Sequence, residues 1–132
     1  MIKRTAGLAV VAVVAIATLL GITAAPALAS SYNTGGTTTS ITNFTTGSTT
    51  YTQDHAGDDI AFDVTSGPAI DMRWVKCSDS SVHGSINYNI GTDGYRVLGT
   101  DFKATTCLHL QFRGFTSTGA FRGVTYWDYN FA

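Results

Sequence analysis

The chain has 132 residues, a net charge of −1 and nine Asp with no Glu. That length holds one small domain, and the near-neutral balance excludes the basic stripe that nucleic acid or an anionic membrane calls for. Low charge with abundant Thr, Ser, Gly and Asn is the texture of an exported β-protein, because Glu and Lys are poor strand formers.

The N-terminus comes first and is the most informative segment. Lys3 and Arg4 give a positive start, residues 7–22 are an almost unbroken apolar run, and Ala27-Leu28-Ala29 fits the small-x-small site of signal peptidase. The run holds about 16 residues where a membrane span needs roughly 20, so residues 1–29 read as a signal peptide and not an anchor. The expected mature chain starts at Ser30 and is secreted, with no membrane contact after processing. Without Lys3 and Arg4 it carries six Lys/Arg against nine Asp, a net charge of −3.

Residues 30–53 are polar, rich in Thr, Ser and Gly, and uncharged before Asp54. Ile41, Phe44 and Tyr51 predict strands over residues 41–53, with residues 30–36 expected to be loose. From Ile60 onward the apolar period is two. Ile60, Phe62 and Val64 form one row. Ile70, Met72 and Trp74 form a second, Ile86, Tyr88 and Ile90 a third, and Leu108, Leu110 and Phe112 a fourth. Phe121, Trp127, Tyr129 and Phe131 share a parity in the last segment, which reads as its core face. Each row is the mark of a half-buried strand. Turn signals separate them, and Gly91-Thr92-Asp93-Gly94 predicts a hairpin whose return strand covers residues 95–98. No segment after the leader has a helical period. Six to eight short strands predict an all-β fold, a single small antiparallel β-sandwich or a partly closed barrel, in one domain over residues 30–132.

Two cysteines in an exported chain predict one disulfide, Cys77–Cys107. Cys77 shares its parity with Asp71 and Arg73, and Cys107 shares its parity with His109, Gln111 and Arg113. Both sulfurs therefore point away from the core or sit beyond strand ends, unlike an immunoglobulin disulfide. The expected staple is peripheral. It closes a loop of about 31 residues, worth roughly 3–4 kcal/mol by chain entropy.

Chemistry-bearing motifs are sparse. Asp54-His55-Ala56-Gly57-Asp58-Asp59 offers oxygens to a cation but has no EF-hand spacing, and it reads as a turn-rich loop. There is no Gly-x-Ser-x-Gly elbow, and oxidised cysteines are not nucleophiles. No catalytic residue, metal site or cofactor is expected. Asn43-Phe44-Thr45 matches a glycosylation acceptor. The best hint lies in the aromatic C-terminal segment, since Tyr and Trp dominate sugar platforms and protein hot spots. Tyr126 falls on the opposite face from Trp127, beside Arg122, while His109 and Arg113 occupy the polar face of their own strand. These four are the candidate binding residues.

The leader, the two-cysteine domain, and the segments Cys107-Leu108-His109-Leu110-Gln111-Phe112-Arg113-Gly114 and Gly123-Val124-Thr125-Tyr126-Trp127 resemble small exported β-proteins of actinobacteria. Among these the chain resembles the adaptor subunits of umbrella toxin particles, which link a lectin-bearing subunit to a large stalk toxin used against other bacteria. The resemblance implies a protein-binding adaptor, and it assigns no residue to a site. The expected function is a secreted, non-enzymatic module that binds another secreted protein. A carbohydrate-binding module is the alternative, and a small hydrolase or hydrolase inhibitor is a second one.

Overall fold

The computed structural model describes residues 29–131, so nearly all of the expected signal peptide, residues 1–28, lies outside the described residues. Ten strands follow in order: β1 (Ser30–Thr38), β2 (Thr45–Thr46), β3 (Tyr51–Thr52), β4 (Asp58–Ser66), β5 (Ile70–Lys76), β6 (Asp79–His83), β7 (Asn87–Ile90), β8 (Arg96–Phe102), β9 (Cys107–Gly114) and β10 (Gly119–Tyr129). All pairings are antiparallel, and the fold is all-β as the period of two predicts. Among the described residues no helix is long and apolar enough to cross a membrane.

The strands form two sheets. The first has the order β1-β10-β4-β8. In the second, β9 and β5 are the central pair. Short β2 and β3 flank β9, and β6 and β7 flank β5. Alternation decides what lies between the sheets. Ile60, Phe62 and Val64 from β4, Ile70 and Met72 from β5, Leu108, Leu110 and Phe112 from β9, and Phe121 from β10 are all buried in one cluster. Phe121 packs edge-on against Phe62 of the neighbouring strand, centroids 6.2 Å apart, and against Phe112 across the layer, 5.0 Å apart. Burying such side chains is worth about 1.5–3 kcal/mol each.

The two flanks of the sandwich close differently. On one flank Trp74 stands edge-on to Phe102, 5.0 Å between centroids, and its indole fills the space where Gly84 and Gly99 have no Cβ. On the other flank Tyr51 reaches from the second sheet to the first. Its hydroxyl meets Thr34 Oγ1 at 2.8 Å and accepts from Thr125 Oγ1 at 3.1 Å.

The disulfide takes its predicted place. Cys77 follows the end of β5 and Cys107 opens β9, one step beyond the Lys76–Leu108 pair. Cys77 N–H donates to Cys107 C=O at 2.9 Å, so the bond staples neighbouring strands at the sheet end and does not cross the core. A disulfide in this position belongs to an oxidising, non-cytosolic compartment.

Three expectations are corrected. Residues 30–36 are not loose. They form most of β1, paired along its whole length with β10 from Ser30–Trp127 to Thr38–Gly119. Thr and Gly carry no charge to desolvate there, and Thr34 and Thr38 anchor the strand with side-chain hydrogen bonds. The predicted hairpin at residues 91–94 is also absent. β7 pairs with β5 and β8 pairs with β4, so this loop crosses from one sheet to the other. β8 gains a nine-residue partner in β4 where β7 offers four residues. Asn89, at φ 56°, breaks the alternation, which leaves Ile90 buried and Tyr88 exposed. Lastly, Tyr129 and Phe131 leave the core row. A bulge between Tyr126 and Tyr129, with Asp128 at φ 56°, turns them aside, so that Tyr129 packs on Phe131 and Phe131 on Tyr95, while Trp127 stays against the core.

Replacing both Cys77 and Cys107 by Ser is expected to lower the unfolding free energy by about 3–4 kcal/mol. Urea denaturation under non-reducing conditions checks this, and a loss well under 1 kcal/mol contradicts the staple's role.

Candidate functional site

The four predicted binding residues lie on two opposite outer faces and do not meet. Tyr126 and Arg122 project from β10 on the outside of the first sheet. His109 and Arg113 project from β9 on the outside of the second.

On the second sheet the outer face is largely engaged with itself. Asp71 on β5 is buried at 2% exposure and receives Arg113 Nε at 2.9 Å and the Asn89 amide at 3.1 Å. Arg113 Nη1 donates onward to the Thr42 carbonyl at 3.1 Å. Phe44 lies under two guanidinium groups, 4.3 Å from Arg73 and 4.7 Å from Arg113. Arg73 also donates through Nε to Gln111 Oε1 at 2.8 Å, and Gln111 donates to Thr46 Oγ1 at 2.9 Å. His109 Nδ1–H donates to the Thr49 carbonyl at 3.0 Å, which sets its tautomer because a carbonyl can only accept. Arg113 thus ties the stretch before β2, and His109 the β2–β3 loop, onto β9. Sequence reading finds both residues but misses Phe44, Arg73 and Asp71. Their parity is visible, but pairing across 42 residues between Asp71 and Arg113 has no local sign.

On the first sheet Tyr126 is half-buried beside Asp63. Burial and the nearby Asp63 charge push the Tyr126 phenol up from its ordinary range. Burial, then repulsion from Asp93, pushes the Asp63 carboxyl up as well. Arg122 is exposed and lines an open groove of about 860 Å³ over β1 and β10, where Gly35, Gly36 and Gly123 contribute no side chain. Of the four predicted residues, Arg122 lines this groove.

In the acidic segment at residues 54–59, Asp58 and Asp59 spend their carboxylates on backbone. Asp58 accepts from the His55 amide at 3.1 Å. Asp59, 1% exposed, accepts from the Asp101 amide at 2.9 Å and the Phe131 amide at 2.8 Å. Buried Gln53 accepts from the Asp128 amide at 3.0 Å, and Asp128 accepts from the Asp54 amide at 2.9 Å and from Ser30 Oγ at 3.2 Å. This polar knot fixes the first residue of β1 against the end of β10.

The feature that distinguishes the surface is an edge. β1 bonds to β10 on one side, and among the described residues no strand pairs with its other side. Every second residue of an antiparallel edge strand directs its N–H and C=O outward. The strand reads Ser-Ser-Tyr-Asn-Thr-Gly-Gly-Thr-Thr over nine residues, with no charge, no Pro and no register shift. The other edges are guarded. β8 carries Arg96 and Asp101 and is broken by two register shifts, while β2, β3, β6 and β7 run two to five residues each. Short, bulged or charged edges are how proteins prevent strand addition, and β1 has none of these devices. Beside it, a slot of about 230 Å³ opens between the sheets, floored by Tyr51, Leu110 and Phe112 and bordered by Thr34 and Gly47. Sequence reading predicts strands in this Thr-rich stretch but places them over residues 41–53.

Comparison with known families, characterised proteins and solved structures found no match.

Two outcomes are expected from these faces. Arg113→Ala is expected to cost about 3–5 kcal/mol, because Asp71 stays buried with its cation removed, whereas Asp71→Asn combined with Arg113→Met recovers most of that loss. Urea denaturation of the single and double variants decides it. Asp63, raised in the folded state, favours the fold below the ordinary carboxylate range, and that contribution is lost as pH rises through its folded pKa. Asp63→Asn should therefore raise stability at neutral pH and bring Tyr126 down toward its ordinary pKa. Ultraviolet titration against Tyr126→Phe checks the second shift, and an unmoved phenol refutes the coupling.

Proposed function

We propose that the protein is a secreted, non-enzymatic protein-binding module that receives an extended segment of its partner on the open edge of β1. One observation supports this reading above the others: the long, flat, uncharged edge of β1 beside edges that are all short, bulged or charged. Strand addition draws affinity from main-chain hydrogen bonds and specificity from pockets that receive alternate side chains. The slot over Tyr51, Leu110 and Phe112 lies where such a side chain enters.

An extracellular location agrees with the disulfide and with the leader read from the sequence. The adaptor role in a toxin assembly is carried by the family resemblance alone. The glycan alternative has weaker support. Trp74 and Trp127 are partly buried against the core and Tyr126 is half-buried, so none of the three presents a fully exposed ring face.

Tyr32, 52% exposed on the inner row of β1, is the position to test. Tyr32→Lys places a charge where an added strand must pack, so protein captured from culture fluid by the wild type is expected to fall at least tenfold, with the melting curve unchanged. Equal capture by the variant removes β1 from the interface.

A further inference from the structure

We propose that the occupant of the β1 edge is a second copy of this chain, an inference that rests on the strand-accepting role assigned to that edge. The two β1 strands pair antiparallel about a two-fold axis at Thr34 and join the two first sheets into one of eight strands.

The register is dictated by β1 itself. In antiparallel pairing, opposite residues share a face. The inner row of β1 is Ser30, Tyr32, Thr34, Gly36 and Thr38: Thr34 bonds to Tyr51 within the sandwich, Thr38 is 2% exposed, and a Cβ on Gly36 would meet the Phe112 ring at 2.8 Å. A two-fold at Thr34 pairs all nine residues of Ser30–Thr38 with their mates, whereas a shift in either direction leaves ends unpaired. The same register sets Tyr32 of one copy opposite Gly36 of the other. Tyr32 is 52% exposed, and Gly36 is the inner-row residue without a side chain. Phe112 and Phe121 already cover the inner face of Gly36, so the Tyr32 ring of the second copy packs beside the Phe112 ring and not on bare backbone. The ring also reaches the slot of about 230 Å³ whose floor includes Phe112. Shifting the axis to Asn33 or Gly35 instead sets Tyr32 against Thr34 or Thr38. The first is held by hydrogen bonds and the second is packed away.

Electrostatics agree. β1 carries no charge, so no like charges meet along the new ladder, where such pairs oppose association. Arg122 pairs with Gly35 on the β10 side, so in the joined sheet its row continues to Asn33 and Val124 of the second copy and not to another cation. An acidic chain that repels itself elsewhere thus meets its copy along a neutral strip.

The test uses the exported protein and two exposed outer-row positions, Ser31 and Thr37, which face each other in this register. Sedimentation equilibrium is expected to give twice the single-chain mass, with reversion to one chain in Tyr32→Lys. Ser31→Cys and Thr37→Cys, mixed and oxidised, are expected to give a covalent dimer of one copy of each, while neither variant alone does so. A Ser31→Cys protein that crosslinks with itself overturns the register. Single-chain mass at every concentration, with no mixed crosslink, overturns the self-pairing. In that event the β1 edge still stands as the partner surface if Tyr32→Lys abolishes capture of a different protein, and it falls too if capture is unaffected.

Discussion

Three hydroxyls hold this structure's two sheets and its edge strand in one register. Tyr51 belongs to the second sheet, Thr34 to the edge strand and Thr125 to the strand beside it, and their oxygens lie 2.7–3.1 Å apart. Each can donate once and accept twice, so the three satisfy one another, with Tyr51 and Thr125 buried and Thr34 at the border of the slot. An unpaired hydroxyl buried there would cost about 1–3 kcal/mol, which makes the register of β1 an energetic requirement. Sliding β1 by one residue would withdraw Thr34 from the ring and turn the whole inner row outward.

This constraint explains why a strand with so little apolar content is ordered at all. β1 contributes no large residue to the core cluster. It is held by its ladder to β10, by the hydroxyl ring at its centre, by Thr38 and Gly119 at one end, and by Ser30 and Asp128 at the other. A strand fixed by hydrogen bonds keeps its outer edge straight and uniformly presented. The opposite flank is built on the other logic. There Trp74 fills the glycine-lined gap, and bulges bend β8, so that edge is closed by packing.

Much of the fold is legible in the sequence because its signals are local. The alternating rows on β4, β5 and β9 and the outward parity of both cysteines come from a period of two, and each holds in three dimensions. What is not legible depends on distant partners. Residues 30–36 have weak strand propensity and look loose until β10 and Tyr51 are in place. Gly91 and Gly94 carry the chemistry of a hairpin turn, yet nothing nearby reveals that β5 and β4 compete successfully for the two flanking strands. The candidate surface is half visible. Strands in the Thr-rich stretch can be read from composition, but the edge at residues 30–38 cannot, and Arg113 and His109 prove to be anchors of the chain around β2.

Amide hydrogen exchange along Ser30–Thr38, read residue by residue at low and high protein concentration, tests the central claim most directly. In dilute protein, slow amides bonded to β10 should alternate with fast amides that face outward, and the fast set should slow as concentration rises. Uniformly fast exchange along β1 would contradict its fixed register. An alternation that no concentration and no partner protein changes would contradict its role as an interface.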